Sequence, residues 1–215
     1  MLVLLTHIAV AAQAYVLGGV NGAIIASKYL YRRDIRELGS GNPGLTNFYR
    51  VFGPRGALLL ILIDIAKTLA PALIGGWIFS RYGLIAAGFS GLYGRVYAGF
   101  FVMLGHCFPV FYGFKGGRAV LAVGILLFSI DWRVALVGWG AFVLVLLATR
   151  YVSLGAILGV WGYPIAFAIF RVGGARELVI AVLSAALLVV RHLPNIRRLI
   201  AGEEPKFNIR RSGGK

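Results

Sequence analysis

Long apolar stretches separated by short polar ones dominate this chain. A helix that crosses a bilayer needs about 20 mostly apolar residues. The pattern predicts about seven such segments, at 3–30, 56–79, 84–112, 119–130, 134–149, 152–170 and 176–191. The fourth is short for a full crossing and reads equally as a tilted or re-entrant piece, which leaves about five spans as the second count. No internal repeat and no long low-complexity linker interrupts the pattern. The expectation is a single all-α domain over residues 1–215, a polytopic membrane protein with a basic tail from about residue 192 to 215.

Composition agrees with this reading. The chain is 60% hydrophobic and 13% charged, against about 25% charged residues in an ordinary soluble domain. Its formal net charge is +15. In a soluble chain that excess would suggest nucleic acid. Here the basic residues sit in the polar gaps between apolar runs, so the partners expected are membrane lipids and small anions, not nucleic acid.

The gaps also predict orientation. With seven spans, Lys28, Arg32, Arg33, Arg36, Arg50, Arg55, Lys115, Arg118, Arg150, Arg191, Arg197, Arg198, Lys206, Arg210, Arg211 and Lys215 share one side. Arg81, Arg133, Arg171 and Arg176 take the other, with Arg95 close to it. The positive-inside rule then puts the first group in the cytoplasm, the N-terminus outside and the C-terminus inside. Met1–Tyr31 is too long for a signal-peptide core and lacks a positive leading region, so it reads as a retained first helix.

Three polar segments on the basic side carry candidate chemistry. The first runs from Leu38 to Arg50. Gly39, Gly41 and Gly44 let the backbone turn with its N–H groups exposed. Ser40, Asn42, Thr46 and Asn47 add hydroxyls and amides, and Arg50 adds a fork of donors that suits phosphate. The same stretch also reads as a plain polar turn. In the second, Lys115-Gly116-Gly117-Arg118 puts cations around paired glycines just before an apolar helix, whose N-terminus itself favours anions. An ordinary positive-inside loop has the same look. In the third, His192, Asn195 and Arg198 recur every three residues, which on a helix brings them to one face. Arg197, Arg210 and Arg211 read better as contacts to anionic headgroups.

Asp64 and Lys67, three apart in the second span, read as an internal ion pair or as part of a site wall. His106 reads as a helix-end anchor, and His7 as remote from the site. Asp131, Trp132, Tyr163 and Glu177 read as interface residues. Cys107 is the only cysteine, and neither a disulfide nor a metal-ligand spacing follows from it. The H-x-x-x-x-D dyad of one acyltransferase class and the G-x-S-x-G elbow are both absent. No metal and no cofactor is expected.

Together the three segments resemble those of the bacterial acyl-phosphate:glycerol-3-phosphate acyltransferases, the PlsY type. That family's G-S-G-N-x-G-A-T-N-x-x-R is matched from Gly39 to Arg50 except at Leu45, and its L-D-x-x-K stretch at Asp64 and Lys67. Its second motif is matched by Gly105, His106, Pro109, Val110, Phe111, Phe114, Lys115, Gly116, Gly117 and Val120. Its third, H-x-x-N-I-x-R-L-x-x-G-x-E, is matched by His192, Asn195, Ile196, Arg198, Leu199, Gly202 and Glu204, and Tyr151 to Leu154 also resembles it. The chain departs from the pattern at Arg118, where lysine is usual, and at Ala119, Leu121 and Ala122.

The resemblance implies transfer of a fatty acyl group from acyl phosphate to the 1-hydroxyl of glycerol 3-phosphate, at the cytoplasmic face of a bacterial plasma membrane. It implies catalytic roles for Ser40, Arg50, Lys115 and His192. It implies substrate or phosphate binding by Gly41, Asn42, Thr46, Asn47, Gly116, Gly117, Arg118, Asn195 and Arg198. Two other classes fit the residues as well: an organic-anion transporter using the same cations and Gly-broken helices, and a catalytically weakened relative, given the departures after Gly117.

Overall fold

A computed structural model describes residues 1–81 and 84–207; Arg210, Arg211 and Lys215 lie outside the described residues. Those residues are helical and contain no strand. The helices are α1 (Leu2–Gly18), α2 (Gly22–Tyr31), α3 (Leu45–Phe52), α4 (Ala57–Phe79), α5 (Gly91–Cys107), α6 (Val120–Ile130), α7 (Trp132–Thr149), α8 (Val152–Phe170), α9 (Ala175–Arg191) and α10 (Leu193–Ile200).

Five helical stretches are long and apolar enough to cross a membrane, and a sixth appears if α9 and α10, bent by 58°, count as one. The span predicted at 119–130 forms a helix of 11 residues, about 16 Å long at 1.5 Å per residue. That is about half of a 30 Å hydrocarbon core. Its reading as a partial piece is therefore the better one. Two other predicted segments are trimmed. The first is broken at Gly19–Asn21, where the Asn21 side chain accepts hydrogen bonds from the N–H groups of Ala23 and Ile24 and restarts the helix. The third begins only at Gly91, because residues 84–89 turn tightly through Gly88 and Ser90 caps α5.

Small residues bring the long helices together. Gly75 of α4 and Gly94 of α5 face each other so closely that a Cβ on either would strike the other's carbonyl. Gly105 of α5 lies against the backbone of α1 at Tyr15, and Gly138, Gly159 and Gly162 bring α7 and α8 into contact. With little hydrophobic drive between helices in lipid, such close approach supplies the dispersion contacts that hold them. Many large apolar side chains, among them Leu2, Leu62, Leu144 and Ile169, point outward, as lipid-facing positions should.

Side chains of neighbouring helices bond to carbonyls of the short α6. Arg95 of α5 donates to the Ser129 carbonyl at 2.7 Å, and the Trp139 indole donates to the Gly124 carbonyl at 3.0 Å. Asp131 then caps the start of α7. Tyr163, expected at an interface, is fully buried among helices. Glu177 is buried too and caps α9 through the Gly174 N–H. Trp132 is exposed, as expected.

Candidate active site

The Gly39–Asn47 loop is shaped by one side chain. Asn47 Oδ1 accepts from the Ser40 N–H at 2.9 Å, while its Nδ2 donates to the Leu38 carbonyl at 2.9 Å. Gly39 turns at φ +58° just where a Cβ would collide with that amide. The loop therefore folds back onto α3. No side chain caps the start of α3 at Gly44, so its first-turn N–H groups are open to an anion. Ser40, Asn42, Thr46 and Arg50 line the resulting cavity. Asn47 borders it with its amide already committed to the loop. Gly41, at φ +69°, shapes the turn from outside the cavity wall.

Glu204 organises the third segment. Gly202, at φ +72°, reverses the chain after α10. Glu204 Oε1 then accepts from Ser153 Oγ at 2.6 Å and from Asn195 Nδ2 at 2.7 Å, and its Oε2 accepts from Arg198 Nε at 2.8 Å. Burial opposes ionisation of this carboxyl, but these three donors outweigh it and hold its pKa below the ordinary value. With Nδ2 spent on Glu204, Asn195 leaves Oδ1 buried without a partner among the described residues. The His192 Nδ1 sits 2.8 Å from the Leu188 carbonyl. A carbonyl can only accept, so Nδ1 carries the proton and Nε2 keeps its lone pair. His192 and Asn195 both line the cavity, so it holds two acceptor atoms in need of a donor.

The second segment divides. The Gly117 N–H donates to the His106 carbonyl, and Arg191 donates to the carbonyls of Gly116 and Gly117. Those groups are used up inside the protein, and Lys115 is exposed and outside the cavity wall. The expected cradle of Lys115, Gly116 and Gly117 is therefore not assembled; these residues set the position of Arg118, which does line the cavity. Burial, with the Arg198 charge next in importance, pushes the Arg118 pKa down to about 10. It stays cationic at neutral pH. Burial also lowers the Arg50 pKa, with Glu204 acting against it.

The three segments thus meet around one cavity of about 440 Å³. Arg50, Arg118 and Arg198 line it with Glu204, which is paired to Arg198, leaving cationic excess. Its opposite wall is apolar: Val120, Leu121, Trp139, Phe142 and Ala156. Ser153, Glu204, Asp64 and His106 are site residues that the role assignment by motif left out. The signal for Glu204 was present as the last letter of its motif, and for Ser153 in the Tyr151–Leu154 likeness. Asp64 and Lys67 form the expected ion pair at 2.8 Å, and Asp64 also reaches the wall.

Such a fold and site define a polytopic membrane protein with a cation-lined, partly apolar cavity where its three polar segments meet. The glycerol-3-phosphate acyltransferase family model matches residues 8–202, and the chain belongs to that family. A relative from Methylococcus capsulatus, named glycerol-3-phosphate acyltransferase, is 38% identical over 201 residues, covering 92% of this chain and 94% of the relative. Another of that name, from Thermoanaerobacter pseudethanolicus, is 34% identical over 195 residues, covering 90% and 92%. The crystal structure of PlsY (YgiH), an integral membrane glycerol 3-phosphate acyltransferase in its glycerol 3-phosphate form, superposes with a TM-score of 0.81 at 32% identity, covering 94% of this chain and 96% of that one. Its lysophosphatidic acid form gives the same TM-score at 29% identity, covering 96% and 97%.

Proposed function

We propose that this protein transfers a fatty acyl group from acyl phosphate to the 1-hydroxyl of glycerol 3-phosphate at the cytoplasmic face, releasing lysophosphatidate and inorganic phosphate. The observation that carries this reading is the pairing, in one cavity, of free cations with two unpartnered acceptor atoms and an apolar wall. Arg50, Arg118 and the open start of α3 suit phosphate groups. Asn195 Oδ1 and His192 Nε2 suit a hydroxyl that must be oriented and must lose its proton. The apolar wall suits the acyl chain.

The acceptor oxygen attacks the acyl carbonyl carbon, and the bond from that carbon to the phosphate oxygen breaks. The hydroxyl proton passes to His192 Nε2 or to a phosphate oxygen of a substrate. Acyl phosphate is already activated, so positioning and charge stabilisation supply most of the rate. Ser40 and Thr46 orient phosphate; Arg198 reaches it from its tie to Glu204. The transporter reading needs free polar groups through the full depth of the membrane. Here Asn21 caps α2 and Arg95 binds the Ser129 carbonyl, which favours the enzyme. The test is phosphate release from palmitoyl phosphate by the purified, reconstituted protein. Release that depends on glycerol 3-phosphate is the expected result; none overturns the reading.

A further inference from the structure

Beneath the cavity lies a polar group buried between helices. Lys67 Nζ in α4 is 2.8 Å from Asp64 Oδ1, 2.8 Å from the Val20 carbonyl and 2.8 Å from His106 Nδ1 in α5. The Lys67, Asp64 and His106 residues are each about 5% exposed. An ammonium has only donors to offer. His106 Nδ1 must therefore accept, and the ring's single proton belongs on Nε2. His106 lines the cavity. Its Nε2 lies against Gly117, at the place a Cβ of that residue would occupy. The next residue is Arg118. Against the same side of Gly117 is the Pro43 carbonyl, which Asn21 holds by a 3.2 Å hydrogen bond. So the ring sits where the first and second segments touch, and it lines the cavity beside Arg118.

We infer that His106 is a neutral N–H donor to the phosphate of the lipid-borne acyl donor, with Lys67 and Asp64 as positioning residues that lock its tautomer. This rests on the acyl phosphate reading above. Three features support it. The ion pair neutralises Asp64, so an anion can approach a wall that contains a carboxylate. A buried ammonium with its acceptors all supplied by protein is a costly arrangement in a membrane and is best explained by a site it serves. Finally, His106 and Asp64 belong to helices that cross the membrane, whereas Arg50 and Arg198 come from the short outer helices. The donor on a membrane-spanning helix meets the substrate that arrives from the lipid, and the cations on the short helices meet the soluble one.

The experiment compares His106→Gln, His106→Phe and a charge-neutral Asp64→Asn/Lys67→Met double variant with the wild type, using palmitoyl phosphate and glycerol 3-phosphate in proteoliposomes. Loss of one hydrogen bond to a charged group predicts that His106→Phe raises KM for palmitoyl phosphate about tenfold, with KM for glycerol 3-phosphate within about twofold. His106→Gln, which keeps an N–H, should stay within about threefold of wild type. The double variant should fall between them. A parallel measurement needs no variant: 15N spectra of histidine-labelled wild type should show His106 protonated at Nε2, and a long-chain acylphosphonate should shift that signal. An unchanged donor KM in His106→Phe, or a His106 signal indifferent to the phosphonate, overturns the inference. An inactive wild type would instead overturn the reaction on which it rests.

Discussion

At the scale of single residues, the site is a balance of excess cation and open acceptor. Among the described residues Arg50 makes a single 3.3 Å hydrogen bond, to the neutral Pro205 carbonyl, so its charge is available to substrate. Arg50→Ala should lower kcat/KM by about 100-fold, near 2.7 kcal/mol of transition-state stabilisation, with the protein still folded; retained activity would exclude Arg50 as a phosphate ligand. His192→Ala separates the two destinations of the proton. A protein base contributes roughly 100-fold or more, and a drop of that size in kcat is expected; near-normal turnover would give the proton to a substrate phosphate instead. Ala119 is a different kind of residue. It holds φ +58° at the start of α6, where the family pattern has glycine. A left-handed backbone costs a side-chain-bearing residue about 1 kcal/mol, so Ala119→Gly should raise the thermal midpoint. These residues show how far the sequence reaches. Arg50, His192, Asn195 and Arg198 were legible from type and spacing. The unpartnered Asn195 oxygen was not, because it depends on which group takes the other end of the amide, and that is decided by a glutamate nine residues on.

At the scale of elements, the outcome turns on where backbone groups find partners. The long apolar runs were legible because hydrophobicity alone predicts them. Their breaks were not: α2 restarts on a side-chain cap at Asn21, and α5 begins late because a glycine turn precedes it. The resemblance implied substrate roles for Lys115, Gly116 and Gly117. The Gly116 and Gly117 carbonyls instead accept from Arg191 and the Gly117 N–H donates to the His106 carbonyl, a tertiary choice that spacing does not reveal. Asn47 is the parallel case in the first segment. Asn47→Asp keeps an acceptor for the Ser40 N–H but loses the donor to Leu38. It should cost roughly 1–3 kcal/mol and raise KM for both substrates, checked by thermal unfolding beside steady-state kinetics.

The tail after α10 behaves as an element too, since Glu204 ties it to α8 and α10 and the Phe207 N–H donates to the Arg150 carbonyl. The native Glu204 carboxyl titrates below its unfolded value. Its contribution is therefore full above the ordinary carboxyl range, near about 4.3, and is lost as pH falls through the lower native value. The stability gap between wild type and Glu204→Gln should be widest at neutral pH and close as the solution is acidified.

At the scale of the whole molecule, the charge bias and the site make one prediction. The cavity opens among the segments that carry most of the basic residues, and the positive-inside rule puts that end in the cytoplasm. In a Cys107→Ala background, a cysteine at Lys115 should react with an impermeant maleimide only from the cytoplasmic side, and one at Arg171 only from outside. The reverse pattern would reject the proposed orientation. The bundle itself was well forecast as an all-α membrane fold. The fourth apolar run, already short in the sequence, folds as the 11-residue α6.

For the proposed reaction, that half-length helix bears on the route of the substrates. With α6 covering about 16 Å of a 30 Å core, roughly half the membrane's depth at that place is left without helix. A water-soluble molecule can then descend to meet a lipid, and the lipid need only move sideways within its own leaflet. In the proposed reaction neither partner then has to make the costly half of the journey: glycerol 3-phosphate need not be immersed in hydrocarbon, nor the acyl tail lifted into water.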